Sequence, residues 1–439
     1  MKITVIGAGY VGLVSGICFS DFGHDVICID KDQEKIDQLN AGKIPIYEPG
    51  LETLLNQNVQ ANRLSFSSTL SDAIDQSDAV FIAVGTPSRR GDGSADLTYV
   101  VEATKEIAKL AKKYVLFITK STVPVGTNRE LLKLISSTNP KLDFDIASNP
   151  EFLREGSAIE DFQKPDRVIV GVESSRAKNI ISEIYKPLCL RDFPIMYTSL
   201  ESAEIIKYAS NAFLATKISF VNEIAALSEK AGGDIKDISK AMGLDGRIGS
   251  KFLHAGPGYG GSCFPKDTSA LVETAKKYNT DMLITKSVIE SNHKTKLRMI
   301  EKIISLSGGS VEDKVLTILG ITFKPNTDDL RDAPSLLIVP ALEKLGAKVR
   351  IVDPKGRDEG LSIFKNAEWF DDVYDAASDS SMIIILTEWN EFRSLDLNRI
   401  AHSMRNAAMA DLRNIYSAQK VFSEGFIAYD SVGQKPHTV

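Results

Sequence analysis

The chain begins Met1-Lys2-Ile3-Thr4-Val5-Ile6-Gly7-Ala8-Gly9-Tyr10-Val11-Gly12, and this stretch decides the fold of the N-terminal part. The apolar run 2–6 predicts a strand, and a helical pattern begins inside the glycine motif. Gly7 allows a tight turn, Gly9 lets a pyrophosphate approach the backbone, and Gly12 lets the helix pack on the strand. The N–H groups at the helix N-terminus favour a phosphate there.

An acidic residue follows the second predicted strand. Asp30 lies about 20 residues beyond the glycine motif, where a carboxylate accepts hydrogen bonds from ribose hydroxyls and repels a 2′-phosphate. The pattern therefore favours NAD over NADP as cofactor. Lys35 is close enough to reach the adenosine end, although a solvated helix lysine is an equal alternative.

Two further loops, 85–87 and 120–127, come directly after predicted strands. Ligands bind at the carboxyl ends of strands in open parallel sheets, so hydroxyls of these loops could face the cofactor. Thr86 and Thr122 are the candidates, and helix capping is the alternative role.

The overall composition narrows the class of protein. The chain has 439 residues, of which 43% are hydrophobic, and its formal net charge is −6. This length predicts two or three domains, and the mild acidity gives no overall attraction for nucleic acid or an anionic membrane. No apolar run reaches the ~20 residues that span a bilayer, and no targeting segment is apparent. Four unpatterned cysteines and five scattered histidines predict a cytoplasmic protein with no metal site.

The order of strand and helix patterns predicts an α/β fold in three domains. Residues 1–200 alternate strands and helices and form an NAD-binding Rossmann domain. Residues 201–310 begin with a proline-free helix of about 30 residues and form a helical middle domain. Residues 311–439 return to α/β and form a third domain. The expected architecture is two Rossmann-like, doubly wound parallel-sheet domains joined by the long helix.

The most distinctive polar stretch is 256–267 (GPGYGGSCFPKD). Its glycines let backbone approach a ligand closely, and Cys263 follows them directly. A buried structural cysteine is the alternative, but the neighbouring Lys266 and Asp267 favour a reactive thiol. Beside a nicotinamide, a thiol can add to an aldehyde. The thiohemiacetal can lose a hydride, and water can open the resulting thioester to an acid.

That chemistry requires an oxyanion stabiliser and a base. Lys207 and Asn211 are four residues apart on the long helix, so they share one face and can donate to a developing oxyanion. A solvated helix face is the alternative. Residues 149–156 (NPEFLREG) place Glu151 and Glu155 after a predicted strand. Either could be a general base, or they could be first-turn acids of a helix.

Six blocks in one order resemble the nucleotide-sugar dehydrogenase family, which includes UDP-glucose and GDP-mannose dehydrogenases. Together they cover nearly the whole chain, and the ordered set is far more specific than any one block. The blocks are 7–12 (GAGYVG), 121–127 (STVPVGT), 149–156 (NPEFLREG), the helix with Lys207 and Asn211, 258–267 (GYGGSCFPKD) and 320–331 (GITFKPNTDDLR).

The resemblance implies oxidation of the C6 hydroxyl of a UDP-hexose to a carboxylate, with two NAD and one water. It favours UDP-glucose as substrate, because Phe264 follows Cys263 where GDP-mannose dehydrogenases have leucine. UDP-N-acetylmannosamine dehydrogenases depart around 149–156. These two activities and a two-electron β-hydroxyacid-type dehydrogenase remain the alternatives. The resemblance also implies a homodimer formed through the middle and dimerisation domain, 201–310, and a UDP-sugar-binding role for the C-terminal domain, 311–439.

The resemblance further implies residue roles. In the catalytic set, Cys263 is the nucleophile, Glu151 is the base for thioester hydrolysis with Thr122 nearby, Lys207 and Asn211 stabilise the oxyanion, and Asp267 acts with Lys207 through a water. With the glycine motif, the cofactor contacts are Gly7, Gly9, Tyr10, Val11, Gly12, Asp30, Lys35, Thr86, Thr122, Glu155, Lys266 and Arg331. The substrate contacts are Glu151, Phe152, Leu153, Arg154, Glu155, Lys207, Asn211, Arg247, Phe252, Leu253, His254, Ala255, Gly256, Gly260, Lys324 and Arg413. Arg247 is the residue that reaches the substrate of a neighbouring subunit.

Overall fold

A computed structural model describes residues 1–89 and 93–438. The chain divides into two compact units, each built on one sheet. The first unit is Met1–Ser210 with Glu273–Thr280, and the second is Asn211–Val272 with Asp281–Val439. The three-domain division at residues 200 and 310 stays a prediction.

The sheet of the first unit has eight strands in the order β3-β2-β1-β4-β5-β6-β7-β8. Strand order reverses between β1 and β4, which creates the crevice where doubly wound sheets bind ligands. All neighbours are parallel except β6 and β7, which are antiparallel. The strands β1 to β8 are Lys2–Ile6, Asp25–Ile29, Leu64–Ser67, Ala79–Ile82, Val115–Thr119, Phe144–Ser148, Val168–Val172 and Ile195–Thr198.

Helices cover both faces of this sheet. The first of them is apolar nearly all round, because its residues 12–20 are all buried between the sheet and neighbouring helices. A Cβ at Gly16 would lie 2.4 Å from Cys28 Sγ, so the glycine permits this helix to touch β2. The helices α1 to α9 are Tyr10–Asp21, Gln33–Asn40, Leu51–Gln60, Ser71–Ile74, Thr98–Leu110, Thr127–Thr138, Ala158–Gln163, Ser175–Ile184 and Lys186–Cys189.

The long helix predicted from the middle of the sequence is present as α10, Leu200–Ala231. Its 32 residues span about 48 Å. It ends at Gly232, which has φ +82° and donates its N–H to the carbonyl of Ser228. A left-handed glycine after the last turn is the usual way to stop a helix.

The sheet of the second unit has seven strands in the order β11-β10-β9-β12-β13-β14-β15, all parallel except the last pair. Its strands β9 to β15 are Val315–Leu319, Lys348–Val352, Glu368–Trp369, Met382–Ile385, Ala408–Asp411, Ala428–Ser431 and His437–Thr438. The helices α11 to α18 are Ile235–Leu244, Phe264–Lys277, Leu283–Leu306, Ser335–Lys344, Arg357–Ile363, Val373–Ala377, Leu397–Ser403 and Ala418–Ser423, with a 3₁₀ turn at Asn390–Arg393. In the described parts of the chain, no helix combines the length and apolar character needed to cross a membrane.

Candidate active site

The glycine motif forms a cradle at the start of α1. Gly7 has φ +102°, and a Cβ on it would lie 2.8 Å from the carbonyl oxygen of Ala83. A Cβ on Gly12 would lie 1.8 Å from the carbonyl oxygen of Gly7, whereas one on Gly9 would meet nothing within 4 Å. Two glycines are therefore required by the chain itself, and the open space at Gly9 fits a dinucleotide pyrophosphate.

Asp30 is held beside this cradle. One carboxylate oxygen accepts the N–H of Ala8 at 2.7 Å and lies 3.3 Å from Lys35 Nζ, while the other accepts the N–H of Asp32 at 3.1 Å. Lys35 is thus paired with Asp30 on the edge of the predicted ribose site. Lys35 is therefore half-buried in an ion pair and not a purely solvated lysine, and its contact with the cofactor stays a prediction.

The two hydroxyl-bearing loops also come together. Thr86 Oγ1 donates to the carbonyl of Thr122 at 3.0 Å, and Ser121 Oγ donates to the carbonyl of Val84 at 2.6 Å. Glu204 on α10 anchors the second loop by accepting the N–H groups of Gly126 and Asn128 at 2.7 and 2.8 Å. Sequence analysis missed Glu204, although it lies one helical turn before Lys207.

A buried carboxylate ties the start of α1 to the end of the 149–156 segment. The Tyr10 hydroxyl donates to Glu48, and Glu48 also accepts the N–H groups of Gly156 and Ala158 at 2.6 and 2.8 Å. Burial and the adjacent Glu48 carboxylate raise the pKa of Tyr10. Glu48 lies in a loop with no periodic pattern, so the sequence gives no signal for it.

Glu151 and Lys207 form a buried ion pair, with Lys207 Nζ 3.1 Å from Glu151 Oε1. The second Glu151 oxygen accepts the N–H of Leu153 at 2.6 Å, and Lys207 Nζ lies 5.1 Å from the Phe152 ring. Burial raises the pKa of Glu151, but Lys207, the Leu153 N–H and Lys120 together outweigh it and hold that pKa below its usual range. Glu151 is therefore an ionised carboxylate, as a general base must be.

In the second unit, Cys263 directly precedes the first residue of α12. Its carbonyl accepts the N–H of Asp267 at 2.8 Å, and its Sγ lies 3.5 Å from Ser262 Oγ. The side chain is half-buried. The partial positive charge at the N-terminus of a helix stabilises a thiolate over a thiol, which suits a nucleophile.

Asp267 connects this helix to α10. It is fully buried and accepts Asn211 Nδ2 at 2.6 Å and Lys266 Nζ at 2.5 Å. Three predicted site residues therefore form one hydrogen-bonded cluster within a turn of Cys263. Lys266, predicted as a cofactor contact, is engaged by Asp267.

The glycines before Cys263 pack against the protein's own backbone and side chains. A Cβ on Gly260 would lie 2.4 Å from the carbonyl oxygen of Asp332, and one on Gly261 would lie 2.8 Å from the Phe323 ring. The Gly261 N–H donates to the carbonyl of Arg331 at 2.7 Å. The close approach that the sequence analysis attributed to a ligand is, at these two positions, an approach to the chain itself.

Basic side chains gather at the carboxyl ends of β9, β12 and β13. Arg413 donates to the carbonyls of Leu386 and Phe323 at 2.6 and 2.9 Å, and Lys324 Nζ lies 5.4 Å from the Phe323 ring. A Cβ on Gly256 would lie 3.7 Å from Arg413 Nη1. The structure thus brings three predicted substrate residues together, and Arg413 Nε is also paired with a carboxylate oxygen of Glu388 at 3.0 Å.

The adjacent segment 252–256 has an unusual backbone. Phe252 has φ +65°, a conformation that a bulky side chain rarely adopts. Its ring lies 6.2 Å from that of Phe264, next to Cys263. Leu253 and Ala255 are buried and His254 is exposed.

Besides Arg413, three predicted arginines are held by neighbouring carboxylates. Arg154 lies 2.5 Å from Asp161, Arg247 lies 2.5 Å from Asp245, and Arg331 lies 2.8 Å from Asp329. All three side chains are largely exposed, so they remain accessible to a ligand.

Comparison with known proteins identifies the family of both units. Residues 1–189 match the NAD binding domain of the UDP-glucose/GDP-mannose dehydrogenase family, residues 201–294 its central domain, and residues 317–418 its UDP binding domain. The chain belongs to the UDP-glucose/GDP-mannose dehydrogenase family.

Individual members of the family are similar over their full length. A UDP-glucose 6-dehydrogenase of Rhizobium meliloti is 52% identical over 99% of this chain and 100% of its own. One from Bacillus subtilis is 45% identical over 99% and 93%. A UDP-glucose dehydrogenase structure from Pyrobaculum islandicum superimposes with a TM-score of 0.90 at 36% identity, covering 98% of this chain and 97% of that one.

Membership of the UDP-glucose/GDP-mannose dehydrogenase family confirms the predicted resemblance, the two-sheet α/β fold and NAD as cofactor. It does not test single residues, so the roles given to them stay predictions. The clusters described above show only which of these residues the fold of each unit brings together.

Proposed function

We propose that this chain oxidises UDP-glucose to UDP-glucuronate in two NAD-dependent steps. The observation that carries the proposal is Cys263 at the N-terminus of α12, one turn from the buried Asn211–Asp267 hydrogen bond. A two-electron dehydrogenase has no use for a nucleophile in that position. The relatives that share 52% and 45% identity over the full chain are named UDP-glucose 6-dehydrogenases.

The residues around the glycine motif fit NAD. Gly9 leaves room for the pyrophosphate at the start of α1, and Asp30 offers oxygens to the ribose. Bound NAD supplies the hydride acceptor for both oxidations. Lys35, Thr86, Thr122, Glu155, Lys266 and Arg331 are the other proposed contacts, together with Tyr10 and Val11 at the start of α1.

Cys263 holds the sugar between the two oxidations. Its Sγ bonds to C6 of the aldehyde to form a thiohemiacetal, and the second oxidation leaves a thioester on the same sulfur. Lys207 and Asn211 lie on one face of α10 and donate hydrogen bonds to the oxygen on C6. Their donors stabilise the negative charge that develops there at each addition.

Glu151 accepts a proton from the water that opens the thioester. Its carboxylate is ionised because Lys207 and the Leu153 N–H stabilise the charge. Water attack then releases the carboxylic acid and restores the Cys263 thiol. Asp267 keeps Asn211 oriented, since it accepts the Asn211 amide at 2.6 Å.

The UDP moiety is assigned to the basic group at the end of the second sheet. Lys324 and Arg413 supply positive charge, and segment 252–256 with Gly260 lines the nucleotide-sugar site. Glu151 to Glu155 complete the contacts on the sugar side.

The experiment that tests this function is the yield of NADH per UDP-glucose consumed. Wild type is expected to give two NADH per sugar, and Cys263→Ser is expected to lose turnover or stall. A yield of one NADH with an unaffected Cys263→Ser variant would overturn the thioester route in favour of a two-electron dehydrogenase. NADH formed only from GDP-mannose or UDP-N-acetylmannosamine would keep the mechanism and change the substrate.

We further infer that the chain acts as a homodimer in the cytoplasm. Phe213, Phe220 and Leu227 lie seven residues apart on α10 and expose 66%, 49% and 63% of their surface. Seven-residue spacing places them on one helix face, and an exposed apolar stripe of this kind is typical of a subunit interface. The proposed chemistry needs Cys263 as a thiol, which a reducing compartment maintains.

A further inference from the structure

A buried lysine lies under the Glu151 site and has no role in the function described so far. Lys120 follows β5 and lies two residues before Thr122, yet only 5% of it is exposed. Lysine is among the residues least often buried, because its ammonium group is costly to remove from water. A buried position at the carboxyl end of a central strand therefore needs an explanation.

The partners of Lys120 are uncharged. Its Nζ lies 3.1 Å from Asn149 Oδ1 and 3.2 Å from the Tyr185 hydroxyl, and the Tyr185 hydroxyl also donates to Asn149 Oδ1 at 2.6 Å. The Phe162 ring lies 5.6 Å away. Among the described residues, no carboxylate lies within ion-pair distance of Lys120, so its charge is not neutralised locally.

The nearest charges that Lys120 experiences are those of the proposed hydrolytic site. Glu151 raises the pKa of Lys120 and Lys207 lowers it, while burial, the largest effect, brings that pKa down to about 8. In return, Lys120 is one of the groups that lower the pKa of Glu151. Asn149, the direct partner of Lys120, is two residues from Glu151 and donates its amide to the carbonyl of Ile169 at 2.8 Å.

We propose that Lys120 is a positioning residue whose buried positive charge keeps Glu151 ionised for thioester hydrolysis. The proposal rests on the role of Glu151 in the function proposed above. Three groups stabilise the Glu151 carboxylate: Lys207 and the Leu153 N–H contact it directly, and Lys120 acts on it from a neighbouring position. The pairing of Thr119 in β5 with Ser148 in β6 sets Lys120 beside Asn149, two residues before Glu151. Lys207 must also donate to the substrate oxygen. While Lys207 donates to the substrate oxygen, a second cation, Lys120, still stabilises the charge of Glu151. Asn149 and Tyr185 hold Lys120 in place.

The direction of the effect follows from electrostatics. Below about pH 8, Lys120 is protonated, and its charge favours the carboxylate form of Glu151. Removing that charge raises the pKa of Glu151, so on acidification the base is protonated at a higher pH than in wild type. The acid side of the rate profile then moves to higher pH by roughly one unit, as expected for the loss of one buried charge.

The test is the pH dependence of kcat with UDP-glucose, measured from pH 3.5 to 9.5 for wild type and Lys120→Met, with circular dichroism confirming that both stay folded at each pH. The variant is expected to lose activity about one pH unit earlier on acidification and to approach wild-type kcat at the alkaline end. Lys120→Gln keeps a donor toward Asn149 without the charge. It should show the same shift, and it carries the test if Lys120→Met does not fold.

Two further variants separate charge from structure. Tyr185→Phe removes a partner of Lys120 but keeps the cation, so it should lower the melting temperature without moving the acid limb. In a Glu151→Gln background, Lys120→Met should produce no further shift, because the group that it acts through is gone.

An unshifted acid limb in both Lys120 variants, with wild type yielding two NADH per sugar, would overturn the proposal and leave Lys120 a structural residue. A wild-type yield other than two NADH would instead count against the proposed function, so the two failures are distinguishable.

Discussion

The positions of the nucleotide motif are glycine for different physical reasons, and the local geometry distinguishes them. Gly12 is fixed by the chain: any side chain there collides with the carbonyl of Gly7. Gly9 is different, since its backbone φ of −82° suits any residue and its side-chain position is open. Gly12 is therefore required by the fold, whereas the open position at Gly9 is available to a ligand.

Alanine at Gly12 should therefore reduce stability, whereas alanine at Gly9 should reduce cofactor binding. Gly12→Ala forces backbone to move and is expected to lower the free energy of unfolding by about 3 kcal/mol. Gly9→Ala should leave the unfolding free energy nearly unchanged but weaken NAD binding roughly tenfold, because the methyl group occupies space for the pyrophosphate. Urea denaturation without cofactor and calorimetric titration with NAD measure the two effects. Equal destabilisation by both substitutions would contradict the assignment.

The sequence predicts residues whose chemistry is local and misses those whose role depends on burial. Spacing to the glycine motif predicts that Asp30 and Lys35 lie near it, and the structure places them there, while their roles and that of Cys263 stay predictions. Lys120 stands in a motif that sequence analysis quoted, yet nothing in its neighbours predicts that it is buried. Glu48 is missed for the same reason, since its three partners come from segments distant in the sequence.

At the scale of helices and strands, a buried ionic cluster fastens α13 to α10 and β14 in the second unit. Lys302 Nζ lies 3.0 Å from Glu229 and 2.8 Å from Asp430. Glu229 also accepts the N–H of Gly433 at 2.8 Å. Burial raises the pKa of Asp430, while Lys302 acts to lower it. Two carboxylates thus depend on a single lysine.

Removing that lysine should be costly. Lys302→Met leaves both carboxylates buried without their cation and is expected to lower the free energy of unfolding by about 3–5 kcal/mol. The matched control is Lys294→Met on the same helix, whose partner Glu290 is 2.6 Å away and equally exposed. Exposed pairs contribute little, so this variant should unfold like wild type. Thermal unfolding followed by circular dichroism measures both variants. Matching curves would contradict a stabilising role for the buried ionic cluster.

The sequence predicts the long helix α10 closely, because its apolar period continues for about 30 residues without a proline. It does not predict the short strands β3, β8, β11, β13, β14 and β15 or the antiparallel step from β6 to β7. Pairing direction depends on where a connection crosses the sheet, which local periodicity does not record.

In both sheets, an aspartate directly after a strand accepts a backbone N–H from a neighbouring loop. Asp30 follows β2 and Asp353 follows β10. The Asp30 carboxylate accepts the N–H of Ala8, and Asp353 accepts the N–H of Ile321 at 2.6 Å. Asp353 also accepts the N–H groups of Thr322, Lys355 and Gly356. Its two oxygens therefore accept four backbone N–H groups in all. Asp30 keeps capacity for a ribose, whereas Asp353 closes its own loop. Without a glycine fingerprint, this second case could not be found from the sequence.

At the scale of the whole molecule, we expect the exposed apolar stripe on α10 to pack against another subunit. A two-fold interface pairs the same patch on both subunits, so one apolar stripe along a long helix is sufficient to form it. Phe220 is the central member of the stripe formed with Phe213 and Leu227. A charge at that position would be buried twice at the interface, once from each subunit.

Phe220→Glu is therefore expected to convert a dimer into a monomer. Sedimentation velocity should give wild type at twice the chain mass and the variant at the chain mass over micromolar concentrations. Tyr99→Glu, an exposed aromatic on α5 outside the stripe, should remain dimeric. The family resemblance assigns Arg247 to the substrate of the neighbouring subunit, so dissociation should also lower kcat/KM for UDP-glucose. A Phe220→Glu variant that stays dimeric would place the interface elsewhere, and a fully active monomer would remove Arg247 from the substrate site.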